Sequence, residues 1–196
     1  MVDKLNSNYW NLRYKNQDTG WDIGKASTPI ISYINQLKDK SIKILIPGCG
    51  YAYEAEYLYN NGFKNVFIID FSNIALQEFK NRVPNFPELQ LIQDNFFKHN
   101  QLYDLVIEQT FFCALHPSLR EKYVQHCHKL LKPKGKLVGL LFNDKLNDDK
   151  PPFGGAKNEY IKLFSNYFKI NIIKNCYNSI KPREGRELFI NFEKDV

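Results

Sequence analysis

At 196 residues the chain has room for one domain with a substantial core, because a chain of this size buries about 70% of its unfolded surface. An apolar fraction of 43% and an aromatic fraction of 15% exclude a disordered chain. The net charge of +6 is scattered, and its densest group, Lys129, Lys132, Lys134 and Lys136, reads as a helix end and the turn into a strand. Cations suit the helix dipole there, which favours a solvated face over a nucleic-acid patch.

No apolar stretch approaches the ~18 residues of a membrane span, and the opening MVDKLNSNYW has no signal-peptide core. Cys49, Cys113, Cys127 and Cys176 form no C-x-x-C pair and no disulfide framework, so a reduced, cytoplasmic protein is expected. His126-Cys127-His128 invites a metal reading, but adjacent residues of a helix point in different directions and cannot all face one ion. No metal is expected.

In chain order, Ser7 or Asn8 caps a short helix through Tyr14, a polar turn follows, and Thr28-Pro29 starts a helix with Ile30, Ile31, Ile34 and Leu37 on one face. This leader, residues 1–40, holds both tryptophans, Trp10 and Trp21. Amphipathic rings in such a segment suggest a lid over a ligand; the alternative is that they pack the leader onto the core.

The apolar run at 42–46 stops at Pro47-Gly48-Cys49-Gly50. A helical segment follows, Gly62 closes it, and a second apolar run at 66–69 ends in Asp70. Strand, glycine turn, helix, strand and acid make one βαβ unit. The acid stands twenty residues past Gly50, near the distance at which such units take ribose hydroxyls. G-x-G-x-x-G would need glycine at Tyr53, which argues against NAD or FAD. A short G-x-G followed by aromatic residues suits a ligand without phosphate, such as S-adenosylmethionine.

Ser72 caps a helix to about residue 83, and a third strand at 89–92 leads into Asp94 and Asn95. That acid is either an adenine contact or a plain strand-to-loop cap. The fourth strand, 103–107, is followed by Glu108-Gln109-Thr110-Phe111-Phe112-Cys113. Ligands of open parallel sheets bind outside the strands' carboxyl ends, so Gly48, Asp70, Asp94 and Glu108-Gln109 are expected on one rim. Pro117 opens a helix to about residue 131 with Leu119, Tyr123 and Leu130 on its buried side. Pro133-Lys134-Gly135 turns it into a fifth strand at 136–142. Residues 143–156, rich in proline and glycine, are a candidate substrate loop. A helix at 160–168 and strands at 170–176 and 187–192 complete the chain. The loop 177–186 carries Lys181, Arg183 and Arg186; it either closes a site with positive charge or forms a solvated tip. The expected fold is α/β: a Rossmann-like three-layer αβα sandwich with a seven-stranded, mostly parallel sheet and one antiparallel strand, in a single domain over 1–196.

The layout resembles the class I S-adenosylmethionine-dependent methyltransferases, and within them the thiopurine methyltransferase superfamily, nearest its plant-type thiol and halide methyltransferases. The resemblance is carried by Trp10-x-x-x-Tyr14 with Trp21-Asp22-x-Gly24, by Leu45-Ile46-Pro47-Gly48-Cys49-Gly50, and by Thr110-Phe111-Phe112-Cys113-Ala114-Leu115; Pro133-Lys134-Gly135 and Pro151-Pro152-Phe153 add to it. It implies that Trp10, Tyr14 and Trp21 cover the cofactor, Gly48 touches its methionine part, Asp70 takes the ribose, Asp94 and Asn95 hold the adenine, and Gln109 is a further contact. Tyr14 stands where plant-type members commonly have tryptophan. Phe153 stands where some have tyrosine, which bears on substrate choice.

Methyl transfer from a sulfonium is an in-line displacement that mainly needs alignment and dehydration. A thiolate or a halide has no proton to remove, which fits a chain with no evident acid–base dyad near the rim. Phe111, Phe112, Cys113 and Phe153 are the candidate acceptor-pocket lining, or else core. His116 and Glu108 are candidate bases if the acceptor is oxygen or nitrogen. The expected function is methyl transfer to a small sulfur nucleophile (thiol, hydrosulfide, thiocyanate) or halide. The alternatives are an O- or N-methyltransferase of the same fold, or a non-catalytic S-adenosylmethionine-binding protein. Its partner is a small-molecule acceptor rather than nucleic acid or membrane, and the fold works as a monomer, with a dimer also allowed.

Overall fold

The structure, a computed structural model, describes residues 4–195. Its architecture is a Rossmann-like, seven-stranded, mostly parallel sheet with one reversed strand and flanking helices, as the sequence predicts. The chain divides into two compact units, Met1–His99 and Asn100–Val196.

The first unit carries α1 (Ser7–Lys15), α2 (Thr28–Ile34), β1 (Ile44–Pro47), α3 (Tyr53–Asn60), β2 (Val66–Asp70), α4 (Asn73–Arg82) and β3 (Leu91–Gln93). Its strands run parallel in the order β3-β2-β1, with Pro47 opposite Ile69 and Asp70 opposite Gln93. All four residues of β1 are buried, which is why its sequence is continuously apolar rather than alternating. The carboxyl ends of the three strands therefore lie side by side, each followed by a candidate site residue: Gly48 after β1, Asp70 closing β2, Asp94 after β3. Ser72 caps α4 as expected, accepting the Ala75 N–H at 3.2 Å. The cap of α1 is Asn6 rather than Ser7 or Asn8; its Oδ1 accepts the N–H of Asn8 at 3.0 Å and of Tyr9 at 3.2 Å. On α2, Ile30 and Ile34 are buried while Ile31 is only half-buried, and Leu37 lies beyond the helix's end, so its apolar face is narrower than the sequence suggests.

The second unit carries β4 (Tyr103–Gln109), α5 (Arg120–Leu130), β5 (Leu131–Phe142), α6 (Lys157–Phe164), β6 (Lys169–Asn175) and β7 (Glu187–Glu193). The order is β4-β5-β7-β6; β4 and β5 are parallel, and β7 runs against both its neighbours. Pro117 opens a short 3-10 turn, Pro117–Leu119, and α5 begins only at Arg120. Tyr123, Val124, Cys127 and Leu130 form its buried face, whereas Leu119 is half-buried. Strand β5 starts earlier than the proline turn implied, because Leu131 already pairs with Tyr103 before the register shifts. Helix α6 also starts earlier, since the Glu159 carboxylate reaches back to the Ala156 N–H at 3.2 Å and closes the first turn.

Candidate functional site

In the first unit the turn after β1 alternates into left-handed backbone at Gly48 (φ +55°), Gly50 (φ +53°) and Ala52 (φ +53°). Glycine adopts this conformation without steric cost; Ala52 holds it at the start of α3. The Gly50 N–H donates to Asp70 Oδ2 at 2.9 Å and the Ser72 N–H to Oδ1 at 2.8 Å. Asp70 thus ties the glycine turn to the end of β2. A carboxylate offers about four acceptor positions; the Gly50, Ser72 and Phe71 amides draw on three, which leaves one for a ligand hydroxyl. Burial raises the Asp70 pKa, and the N–H groups of Ser72, Gly50 and Phe71 pull against that rise.

The aromatic leader packs on this same turn. Tyr14 is buried, and a methyl group added at Gly50 would stand 2.8 Å from its phenol oxygen. Burial, then the nearby Asp70 carboxylate, push that phenol far above its ordinary pKa, while a hydrogen bond from Trp21 pulls it back. Trp21 meets Trp10 edge-on at 5.4 Å and Tyr14 at 5.6 Å, and Tyr14 meets Tyr51 at 5.2 Å. The Arg13 guanidinium lies over Trp21 at 5.0 Å. Two polar links fasten the leader: the Ser72 hydroxyl donates to Asn11 Oδ1 at 2.7 Å, and the Ser27 N–H donates to the buried Glu54 carboxylate at 2.9 Å. Replacing Tyr14 by Phe removes the Trp21 hydrogen bond and is expected to lower stability by about 1–2 kcal/mol, measured as the urea midpoint.

Asp94 and Asn95 sit at the correct sheet end, yet their side chains serve local turns. Asp94 Oδ1 accepts the Asn95 N–H at 2.6 Å and Asn95 Oδ1 the Phe97 N–H at 2.9 Å. Asp94 is exposed, so one carboxylate oxygen still faces solvent.

In the second unit β4 ends at Gln109, whose Oε1 is buried without a hydrogen-bond partner among the described residues. Thr110 follows with φ +61°, a strained conformation for a β-branched residue. The chain then turns through a short 3-10 segment, Phe112–Ala114. Phe112 is core: its ring lies 5.2 Å from Tyr123, 5.7 Å from Tyr160 and 5.9 Å from Phe164. Phe111 is half-buried, Cys113 is buried, and the Phe153 N–H donates to the Cys113 carbonyl at 2.7 Å. These candidate lining residues are therefore one connected group. The Cys113 thiol donates to the Thr110 carbonyl at 3.2 Å, and burial pushes its pKa up to about 12, so it stays protonated.

Of the two candidate bases, Glu108 is engaged on both oxygens and His116 on one ring nitrogen. Glu108 is fully buried and its carboxylate accepts from the Phe111 N–H, the Phe112 N–H and the Tyr123 hydroxyl. His116 Nδ1 caps the 3-10 turn at Ser118, and its ring lies against Phe153 at 5.6 Å. The loop 143–156 borders a cleft of about 470 Å³ lined by Arg120, Asp144, Lys145, Phe153 and Glu159 among others. Arg186 pairs with Asp144 at 2.5 Å and the Asn143 N–H donates to the Arg186 carbonyl at 2.8 Å. Arg183 turns inward, buried beside Glu187 at 3.5 Å, while Lys181 is exposed. The loop 177–186 is thus mostly exposed, at Tyr177, Lys181, Pro182, Glu184, Gly185 and Arg186, with Arg183 alone of its three cations buried. Among the described residues no cluster of three His, Cys, Asp or Glu could hold a metal, and no helix is long and apolar enough to cross a membrane.

Sequence reasoning missed Gly139, which pairs with Glu108 and where a Cβ would collide with the Glu108 carbonyl. The signal was present: a glycine inside an apolar strand marks close approach of another backbone. It also missed Glu54 and the Arg183–Glu187 pair, whose burial no local pattern encodes.

The profile of the family described as Thiopurine S-methyltransferase (TPMT) matches residues 5–194. Probable thiol methyltransferase 2 of Arabidopsis thaliana is 28% identical over 202 residues, covering 99% of this chain and 88% of that protein. Thiocyanate methyltransferase 1 of Brassica oleracea is 26% identical over 192 residues, covering 94% and 84%. Among solved structures, the Burkholderia thailandensis 1,6-didemethyltoxoflavin-N1-methyltransferase, with bound 1,6-didemethyltoxoflavin and S-adenosylhomocysteine, superposes with a TM-score of 0.78 at 15% identity, covering 97% of this chain and 87% of that one; at that identity the likeness concerns the fold. With the match running over nearly the whole length, the chain belongs to the thiopurine S-methyltransferase family.

Proposed function

We propose that the protein transfers a methyl group from S-adenosylmethionine to a small sulfur nucleophile or a halide. The observation that carries this is the fastening of the glycine turn: Asp70 holds the Gly50, Ser72 and Phe71 amides and keeps an acceptor position for a ligand. A ribose hydroxyl fits that position. Trp10, Tyr14 and Trp21, packed as one edge-on ring cluster, cover the same turn and shield it from water. Gly48 gives the backbone room to approach the methionine part, Asp94 and Asn95 hold the adenine, and Gln109 is a further contact.

Bound S-adenosylmethionine supplies a methyl carbon already activated by the sulfonium charge. The chain's own part is alignment and exclusion of water. Phe111, with Cys113 and Phe153 joined behind it, faces the acceptor, while Phe112 anchors the turn in the core; rings also favour a nearby cation. Glu108 spends both oxygens on the Phe111, Phe112 and Tyr123 donors, which suits an acceptor that needs no base: a thiolate, hydrosulfide, thiocyanate or halide. The relatives named as thiol and thiocyanate methyltransferases point to the same acceptors.

Incubation with labelled S-adenosylmethionine and hydrosulfide, thiocyanate, iodide, an aromatic thiol or a thiopurine tests this. Transfer to at least one of them is expected. Transfer only to an oxygen or nitrogen acceptor, or cofactor binding (seen as quenching of Trp10 and Trp21 fluorescence) with no transfer at all, would sink the proposal.

A further inference from the structure

Glu108 stands where a general base would be sought, and its contacts give it another task. It lies near the end of β4, wholly shielded from solvent, against Gly139 of β5. Oε1 accepts the N–H of Phe111 at 2.7 Å and of Phe112 at 2.9 Å; Oε2 accepts the hydroxyl of Tyr123, on α5, at 2.5 Å. One side chain thus joins β4, the turn at 111–114 and α5. The turn it spans contains Thr110 at φ +61°, a conformation that persists only where the surroundings over-determine it. The same turn reaches Phe153, through the Cys113 carbonyl at 2.7 Å.

We propose that Glu108 is a positioning residue for acceptor binding: its side chain, clamped between the amides of Phe111 and Phe112 and the Tyr123 hydroxyl, fixes where the turn holds its rings. This rests on the reading that Phe111, Cys113 and Phe153 line the acceptor chamber, with Phe112 anchoring the turn in the core. The clamp also carries a pH dependence. The titratable groups facing Glu108 are Cys113 from the turn and Tyr123 and Cys127 from α5. Burial pushes all three upward, so they are protonated near neutrality. Glu108 itself is pushed up to about 7 by burial, against the pull of Tyr123, Phe112 and Phe111. Its neutral form donates to the Tyr123 oxygen while its carbonyl keeps both amides; its ionised form accepts from all three. Gln at this position imitates the neutral form.

The test compares wild type, Glu108→Gln, Glu108→Ala and Tyr123→Phe with thiocyanate and iodide, acceptors that do not titrate near pH 7. Acceptor KM, S-adenosylmethionine KM and kcat are followed from pH 6 to 8.5, alongside hydrogen exchange at the Phe111 and Phe112 amides. Glu108→Ala is expected to raise the acceptor KM about tenfold, leave the S-adenosylmethionine KM within about threefold, and lose protection at both amides. Glu108→Gln is expected to restore protection, bring the acceptor KM back within about threefold of wild type, and remove the inflection near pH 7. A fall in kcat with Gln as severe as with Ala, at unchanged acceptor KM, would make Glu108 a base and overturn the proposal. If Glu108→Ala does not fold, Tyr123→Phe decides: a rise of about threefold in acceptor KM supports the clamp, and no change in KM or exchange overturns it. If wild type binds cofactor but methylates no acceptor, the functional reading fails on its own. Exchange at the two amides then decides the clamp, and unchanged protection in the folded variants overturns it.

Discussion

Asp70→Asn is expected to bind S-adenosylmethionine about tenfold more weakly than wild type, with only a small loss of fold stability. The carboxylate serves two ends at once, the Gly50 and Ser72 amides at 2.9 and 2.8 Å and, in the proposed complex, a ribose hydroxyl. A hydrogen bond to a charged group contributes about 1.5–3 kcal/mol against about 0.5–1.5 for a neutral one. Losing the charge at the ribose bond therefore costs about 1–2 kcal/mol, which is roughly tenfold in affinity. Stability responds less because two effects oppose. The amide nitrogen of Asn replaces one acceptor and faces an N–H, at a cost of about 1–3 kcal/mol. Against this, burial raises the Asp70 pKa, so the ionised side chain is itself a burden on the folded state. A carboxyl raised on folding contributes stability that is complete below its unfolded pKa and is lost as pH rises through the folded one. Wild type should accordingly lose part of its stability above pH 4, and the variant should lack that component. Titration of tryptophan fluorescence and urea melts at pH 4 and 7 measure both effects. Affinity within threefold of wild type would remove Asp70 from the cofactor site.

Gly139→Ala should destabilise the protein by about 3–5 kcal/mol, a large part of the roughly 5–15 kcal/mol that holds a typical domain. Gly139 sits in β5 directly across from Glu108 of β4 in parallel register. A Cβ there would overlap the Glu108 carbonyl oxygen and crowd its Cβ. Both obstacles lie on the strand itself, so no flexible side-chain end can swing away and the ladder must part. Gly20→Ala is the control: nothing lies within 4 Å of the added carbon, and a change under about 0.5 kcal/mol is expected. Urea midpoints of the two variants give the comparison, and equal midpoints would show that the strands separate without strain. Because the collision falls on Glu108, acceptor KM should rise in whatever fraction of Gly139→Ala remains folded.

The sequence by itself determined the unit from β1 to Asp70, the seven strands, the Ser72 cap and the family motifs. These are local signals: an apolar run buried on both faces, a turn that needs left-handed backbone, a hydroxyl placed to meet an orphan N–H. The candidate site was legible to the same depth, since Gly48, Asp70 and Asp94 each follow a strand and parallel pairing puts strand ends together. Whether a polar side chain is free for chemistry was decided only in three dimensions. Glu108 reads as a base until Tyr123, fifteen residues on, closes over it. Arg183 reads as surface charge until Glu187 draws it inward at 3.5 Å. Phe111 and Phe112 are neighbours in sequence, yet one is half-buried and the other lies among Tyr123, Tyr160 and Phe164. Burial depends on what packs opposite, and those partners are set by long-range contacts that no short window of sequence contains.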